Sequence, residues 1–165
     1  MSVPKSIPPR GFLIFGEIGA GKTTLAKQLE TSLPAIRFTH DEWMRKLYGE
    51  NPPLEHFPTY HARVTDLLDT VWPRCLELGL SVVLDFGFWT RLERDSVRAR
   101  VSQLGFEHVF YALECPEEVR RKRVEARNLQ QGSDSLYIAR ETFLSLHERM
   151  EPLEADEECV LVSTA

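Results

Sequence analysis

Paired cysteines, long apolar runs and an excess of positive charge are all missing from this 165-residue sequence. Its three cysteines are odd in number and widely spaced, with no C-x-x-C pair, which argues against a disulfide framework or a zinc site. No apolar run approaches the ~20 residues of a membrane-spanning helix, and the N-terminus lacks the apolar segment of a signal peptide. We therefore expect a cytoplasmic protein with no membrane partner.

Positive charge is also scarce, since 25 acidic residues outnumber 20 basic ones and the net charge is −5. The field of the whole molecule does not favour a nucleic-acid backbone, so nucleic acid is disfavoured as a partner. The five histidines show no metal-ligand spacing. With an ordinary 42% of hydrophobic residues, we expect one domain over residues 1–165, a monomer or homodimer, with a flexible, proline-containing lead-in over 1–10.

Apolar runs typical of buried strands alternate with amphipathic patterns typical of helices. Strands are predicted at 12–15, 35–38, 80–84, 108–113 and 159–162. Helices are predicted at 22–33 and 41–48, and along a segment that includes 64–78. A capping box formed by Thr90 and Glu93 predicts the start of a further helix that ends at Gly105. The last two helices are predicted to begin at Pro116 and to span about 136–150. The alternation predicts a three-layer α/β fold with five parallel strands.

The most specific motif spans residues 16–23, which read G-E-I-G-A-G-K-T and match G-x-x-x-x-G-K-S/T. In this motif backbone N–H groups cradle phosphate oxygens, Lys22 reaches the β and γ phosphates, and the Thr23 hydroxyl binds Mg²⁺. An incidental glycine turn is disfavoured, because a predicted strand precedes the motif and a predicted helix follows it. The predicted nucleotide-binding residues are Gly16, Glu17, Ile18, Gly19, Ala20, Gly21, Lys22, Thr23 and Thr24.

Two aspartates follow predicted strands. Asp85 ends the run V-V-L-D, where a carboxylate beside the Gly-rich loop could hold Mg²⁺ or its water shell; the alternative is a turn cap. Asp41 follows the second strand, at the sheet edge where ligands of α/β folds bind, and is our candidate general base for a hydroxyl. Asp41 could instead be only a helix N-cap, and Glu42 is a weaker alternative base.

A basic segment follows the fourth strand and reads R-R-K-R-V-E-A-R over residues 120–127. At helical spacing Arg120, Arg123 and Arg127 share one face and could add positive charge around a γ-phosphate. The alternative is a solvated helix face, which is the usual location of a charge run.

Four aromatic residues are expected to lie near the acceptor pocket. Trp43, Phe86, Phe88 and Trp89 could form a flat apolar wall for an aromatic, sugar or drug-like acceptor, or could simply pack in the core. Arg91 could pair with an acidic group on the acceptor or cap a local turn.

Four segments together resemble small P-loop kinases of the AAA-family ATPase or predicted-kinase group. They are the G-E-I-G-A-G-K-T loop, H-D-E-W at 40–43, V-V-L-D-F-G-F-W-T-R at 82–91, and V-R-R-K-R-V-E-A-R-N at 119–128, and they span most of the chain. The layout is similar to chloramphenicol phosphotransferase, gluconate kinase, zeta toxin and polynucleotide kinase domains. The resemblance implies strand order 2-3-1-4-5 and a helical lid over about 117–135.

The resemblance also implies roles for single residues. Asp41 matches the general base of such kinases, and Arg123 and Arg127 match lid arginines that stabilise the transferring phosphoryl group, while Lys22 and Thr23 carry over directly. We therefore expect an ATP- and Mg²⁺-dependent kinase acting on a hydroxyl of a small molecule such as a metabolite or antibiotic. The alternatives are a polynucleotide 5′-kinase and a regulatory ATPase with no phosphoryl acceptor.

Overall fold

The computed structural model describes residues 7–130 and 135–165. Residues 1–6 of the predicted lead-in and 131–134 of the predicted lid lie outside the described residues. The described strands are β1 (Arg10–Phe15), β2 (Ala35–Thr39), β3 (Ser81–Gly87), β4 (Glu107–Glu114) and β5 (Val160–Ser163). The described helices are α1 (Lys22–Ser32), α2 (His40–Tyr48), α3 (Phe57–Glu77), α4 (Arg91–Gln103), α5 (Glu117–Asn128) and α6 (Arg140–Arg149).

The strands form one sheet in the order β2-β3-β1-β4-β5, and every neighbouring pair is parallel. The predicted α/β fold and its strand order 2-3-1-4-5 are therefore confirmed. Because the strands are parallel, the carboxyl ends of β1, β2 and β3 lie at one edge of the sheet, where ligands of such folds bind.

Alternate residues of the strands build two apolar layers, one on each face of the sheet. Ile14 and Val83 pack with Ala26 of α1 in one layer. Leu13 and Leu84 pack in the other layer, against the side of α3 that carries Val64, Leu68, Trp72 and Leu76. The three-layer arrangement fixes α1, directly after the Gly-rich loop, on one face and α3 on the other.

The described helices include none that is both long and apolar enough to span a bilayer. The longest of them is α3, which begins at Phe57, ahead of the predicted helical segment 64–78. Pro58 is compatible with the first helical turn, because the amide hydrogen that proline lacks has no helical partner there. The helix then continues through Pro73. The capping box predicted at Thr90 and Glu93 is confirmed at the start of α4.

The prediction of a helix over 136–150 is wrong at its start, because α6 begins only at Arg140. The Asn128 side chain accounts for the difference. Its amide nitrogen donates to the Ile138 carbonyl at 2.7 Å, and its oxygen accepts from the Ile138 amide at 3.2 Å. These two bonds hold Ile138 outside the helix and tie it to the end of α5.

A buried ion pair joins α4 to the segment between α6 and β5. The Arg94 side chain is fully buried and donates from Nε and from a terminal nitrogen to the Glu157 carboxylate, at 2.8 and 2.7 Å. Arg94 also donates to the carbonyls of Glu151 and Pro152, at 3.1 Å each. This arginine therefore fixes the stretch of chain that leads from α6 back to the sheet.

Arg91 lies in the same region but is much more exposed. Its guanidinium pairs with Asp95, Glu154 and Asp156 of its own chain. These pairs give Arg91 a structural role that neither sequence-based interpretation included.

Candidate active site

The Gly-rich loop connects β1 to α1 and has the shape of a phosphate cradle. Gly19 and Gly21 have φ angles of 79° and 96°, which favour glycine. Gly21 is the N-cap of α1, and no side chain caps the helix there. The first N–H groups of α1 are therefore free to bind an anion, and the positive end of the helix dipole favours that anion.

A close approach to α5 restricts Gly19 further. A Cβ atom at this position would lie 2.6 Å from the Arg120 carbonyl oxygen. We expect Gly19→Ala to shift the loop and to weaken ATP binding at least about tenfold, since the cradle depends on the position of its backbone N–H groups. Isothermal titration with ATP measures the effect.

Gly49→Ala is the matched control, because Gly49 has a φ of 87° but a Cβ atom added there would meet nothing within 4 Å. This substitution should cost about 1–2 kcal/mol of stability through backbone strain and should leave ATP binding unchanged. Equal ATP affinities for the two variants would contradict the cradle.

Thr23 and Asp85 meet at the end of the loop. The Thr23 hydroxyl donates to a carboxylate oxygen of Asp85 at 2.8 Å. Between Leu13 and Phe15 of β1 the partners on β3 are Leu84 and Gly87, so β3 has one extra residue here. This bulge contains Asp85, and bulges beside active sites commonly re-aim a side chain. The Asp85 carboxylate is 7% exposed and is engaged by Thr23, so it is not a simple turn cap.

Lys22 and Asp41 each interact electrostatically with both Asp85 and Arg127. Burial lowers the pKa of Lys22, against the opposing effect of Asp85 and Asp41. Burial, followed by repulsion from Asp85, raises the pKa of Asp41, while Arg127 and Lys22 oppose that rise. Two carboxylates and two cations therefore share one poorly solvated site, which is the kind of place where acid–base groups are tuned.

Asp41 lies in the first turn of α2, but it is not the N-cap that one sequence interpretation proposed. The N-cap is Thr39, which places Asp41 within the first turn, where the helix dipole favours a carboxylate. The neighbouring Glu42 is an ion-pair partner of Arg37. Glu42 is thus engaged in a structural contact, whereas Asp41 faces the cluster with Lys22 and Arg127.

Three of the four arginines of α5 approach the site at different points. The Arg127 guanidinium lies in the cluster with Asp41, and its buried Nε atom has no hydrogen-bond partner among the described residues. Arg123 instead contacts the Gly19 carbonyl at 3.4 Å and also the Thr164 carbonyl, and it lies beside Gly21. The structure therefore brings together Lys22, Asp41, Asp85 and Arg127, and places Arg123 at the opposite part of the loop.

Arg120 plays a different part, because its side chain is buried under the loop. It forms an ion pair with Glu17 at 2.8 Å and donates to the Cys115 carbonyl at 3.1 Å. Glu17 also contacts His147 of α6, and this contact joins the loop to α6. No pattern in the sequence predicts that contact, since 130 residues separate its partners.

A second set of side chains lies at the ends of β2 and β3, on the α3 side of the sheet. The rings of His40 and His61 stack with their centroids 4.4 Å apart and their planes 7° apart. Phe86 meets His40 edge to face at 4.4 Å. His40 opens α2 directly before Asp41, so these rings lie at the same edge of the sheet as Asp41.

The aromatic wall predicted from sequence is largely absent from this place among the described residues. Phe88 is 4% exposed within the core, and its φ of 49° is a strained value for a residue other than glycine. Trp89 lines a small cavity with Glu17 and Ile18 beneath the loop. Of the four predicted residues, Phe86 is the one that contacts the imidazoles, while Trp43 is 37% exposed on α2.

Solved structures with the same fold include several kinases. A candidate kinase from Chloroflexus aurantiacus superposes with a TM-score of 0.70 at 17% identity, over 95% of this chain and 89% of that one. A sugar kinase from Janibacter has a TM-score of 0.60 at 20% identity, covering 94% and 86% of the two chains. Chaetomium thermophilum Kti12, solved in complex with ADP-AlF3, has a TM-score of 0.65 at 19% identity, covering 93% and 88%.

A curated relative matches only locally. The 26S proteasome regulatory subunit 6B homolog of Dictyostelium discoideum is 47% identical over 49 residues, which is 28% of this chain. The match covers 12% of that subunit's length.

The parallel sheet in the order 2-3-1-4-5, with its Gly-rich loop entering α1, defines a P-loop protein with a kinase-like fold. The profile of the AAA domain family matches residues 12–153, and the chain belongs to that family. The predicted membership of the AAA family is confirmed by this match, and the predicted kinase-like fold by the solved structures.

Proposed function

We propose that this protein is an ATP- and Mg²⁺-dependent phosphotransferase that acts on a hydroxyl group of a small molecule. The observation that carries the proposal is the position of Asp41, a carboxylate of raised pKa in one cluster with Lys22, Arg127 and Asp85. Phosphorylation of a hydroxyl requires a base beside phosphate-binding cations, whereas nucleotide binding alone requires no base. The roles of these residues in the reaction are proposals.

The cradle and the cations suit a nucleoside triphosphate. The uncapped start of α1 and the left-handed glycines suit its phosphate oxygens, and the Lys22 ammonium donates to the Glu17 carbonyl at 3.0 Å. The orphaned, buried Nε of Arg127 suits a phosphoryl oxygen, since a buried donor without a partner is costly. The ADP-AlF3 bound to Kti12, which has the same fold, supports nucleotide binding.

The donor set for magnesium is small but chemically suitable. In the described part of the chain, no three His, Cys, Asp or Glu side chains converge as a metal site. Thr23 and Asp85 offer two hard oxygen donors, and Mg²⁺ in such kinases takes its remaining ligands from water and phosphates. Held by Thr23 and Asp85, Mg²⁺ would neutralise charge on the phosphate oxygens.

The proposed reaction transfers one phosphoryl group with all atoms balanced. An acceptor hydroxyl oxygen attacks the γ-phosphorus, its bond to phosphorus forms, and the bond from phosphorus to the β,γ-bridging oxygen breaks to release ADP. Asp41 takes the proton of the hydroxyl. Lys22 and Arg127 stabilise the charge on the transferring group, so catalysis is mostly positioning and electrostatics.

Arg123 and Arg127 of α5 should differ in their kinetic effects. Arg127→Met is expected to lower kcat by about 10³-fold, the range for an arginine that stabilises a transferring phosphoryl group. Arg123→Met should instead raise the KM for ATP with little change in kcat, because Arg123 contacts the Gly19 end of the loop and not Asp41. Steady-state kinetics on both variants measures this, and equal losses of kcat would contradict the separation.

The choice between acceptor classes needs a direct comparison. Protein supplied with γ-labelled ATP is offered a panel of small hydroxyl compounds and, separately, a 5′-hydroxyl oligonucleotide. We expect label in a small-molecule product. Label in the oligonucleotide would establish the polynucleotide kinase alternative, and acceptor-independent release of phosphate alone would establish the regulatory ATPase.

A further inference from the structure

We propose that His61 is a specificity-determining residue that selects uncharged hydroxyl compounds as acceptors. The proposal rests on the proposed function, because it concerns the acceptor side of the same site. It starts from the imidazole stack, the pair His40 and His61, which lies at the sheet edge where α2 begins and where Asp41 follows His40.

The hydrogen bonds fix the protonation state of His40, which is the inner ring of the stack. The Thr65 hydroxyl donates its one hydrogen to the His61 carbonyl at 2.9 Å, so it must accept from His40 Nε2, also at 2.9 Å. His40 is therefore the neutral Nε2–H tautomer, consistent with a pKa that burial and then His61 lower to about 3. The inner ring brings no charge to the site.

His61, the outer ring of the stack, is the one that is accessible to an acceptor. His61 is exposed, and neither of its ring nitrogens has a hydrogen-bond partner among the described residues. One face of the His61 ring meets solvent, but its packing against the rings of His40 and Phe57 desolvates it and lowers its pKa, so it too is neutral near pH 7. A neutral imidazole offers one donor and one acceptor, which is the complement of a hydroxyl group.

The surrounding charges disfavour an anionic acceptor. The charged neighbour identified for His61 is the carboxylate Glu93. Arg37 does not offset that charge, because it pairs with Glu30 and Glu42. A carboxylate or phosphate at His61 would thus face the Glu93 carboxylate, while Lys22 and Arg127 serve the transferring phosphoryl group.

Two partly buried phenylalanines complete the surface. Phe86 lies edge-on to His40, and the Phe57 ring is 6.0 Å from that of His61. They add apolar contact next to the hydrogen-bonding edge of His61. An uncharged alcohol with an apolar or aromatic portion matches these contacts.

A matched pair of probes tests the selection without any turnover. 1-Phenylethane-1,2-diol and mandelate share a phenyl ring and a hydroxyl, but mandelate carries a carboxylate. Each is titrated at millimolar concentration into the ATP-free protein, and the Hε1 resonance of His61 is followed by NMR. We expect the diol to shift this resonance and to bind at least about tenfold more tightly than mandelate.

Variants of His61 separate a binding role from a packing role. His61→Ala should weaken diol binding at least about fivefold, and His61→Gln, which keeps a donor and an acceptor, should restore most of it. His56→Ala, an exposed histidine outside the stack, is the control. Equal binding of diol and mandelate, an unmoved His61 resonance, or unchanged diol binding by His61→Ala would overturn the proposal. Loss of phosphoryl transfer with intact diol selectivity would instead reject the proposed function alone.

Discussion

Asp41→Asn is expected to reduce phosphoryl transfer by about 10³-fold, within the range that general-base catalysis contributes. The substitution keeps the shape of the side chain but removes the oxygen that would take the hydroxyl proton. The affinity for ATP should stay nearly unchanged, since Lys22 and the loop supply the phosphate contacts. Single-turnover kinetics and ATP titration measure the two quantities separately, and wild-type turnover would remove Asp41 from the mechanism.

The pKa of Asp41 adds an independent check on the same variant. Because burial raises this pKa, the folded protein binds the proton more tightly than the unfolded chain, and stability is lost as the pH rises through the folded-state pKa. Asp41 is thus destabilising once it is ionised, and above its folded-state pKa Asp41→Asn should melt no lower than wild type. Activity should fall as the pH drops through the same raised pKa, above the ordinary aspartate value of about 3.9.

Arg94→Met is expected to cause a large loss of stability. Glu157 would be left as a buried carboxylate without its main partner, at a cost of about 3–5 kcal/mol. For a chain of this size that corresponds to a fall in Tm of about 10 °C. Thermal unfolding followed by circular dichroism measures the change.

Arg91→Met is the matched control, because Arg91 is in the same helix and pairs with acids of the same 151–157 segment. Its close partners Asp95, Glu154 and Asp156 are exposed, and its distance to the buried Glu157 carboxylate is 3.9 Å, so these pairs should contribute little to stability. Similar Tm values for the two variants would show that the buried pair adds nothing beyond surface charge pairing.

The sequence predicted the features that depend on local pattern. The loop over 16–23 needs only glycines and a lysine between a strand and a helix, and all of these are adjacent in the chain. The meeting of Asp41 with Asp85 was predictable as well, because parallel strands end at one sheet edge. The fold followed from the alternation of strands and helices.

Features that depend on distant partners could not be predicted. Arg94 and Glu157 are 63 residues apart, and neither has a periodic or spacing signal that names the other. The imidazole stack likewise joins residues of two different helices, His40 of α2 and His61 of α3. No local pattern predicts such a contact, so no histidine was assigned a role from the sequence. The late start of α6 reflects competition by the Asn128 side chain for the backbone of Ile138, a tertiary contact that overrides local helix propensity.

The central claim, that this P-loop protein transfers a phosphoryl group to a hydroxyl, is tested most directly by the fate of the γ-phosphate. ³¹P NMR of protein, ATP and Mg²⁺ with a panel of small hydroxyl compounds distinguishes phosphomonoester from inorganic phosphate. We predict an acceptor-dependent phosphomonoester signal that equals the ADP formed and is lost in Asp41→Asn. Inorganic phosphate as the sole product, formed at the same rate with and without acceptors and in Asp41→Asn, would contradict the account.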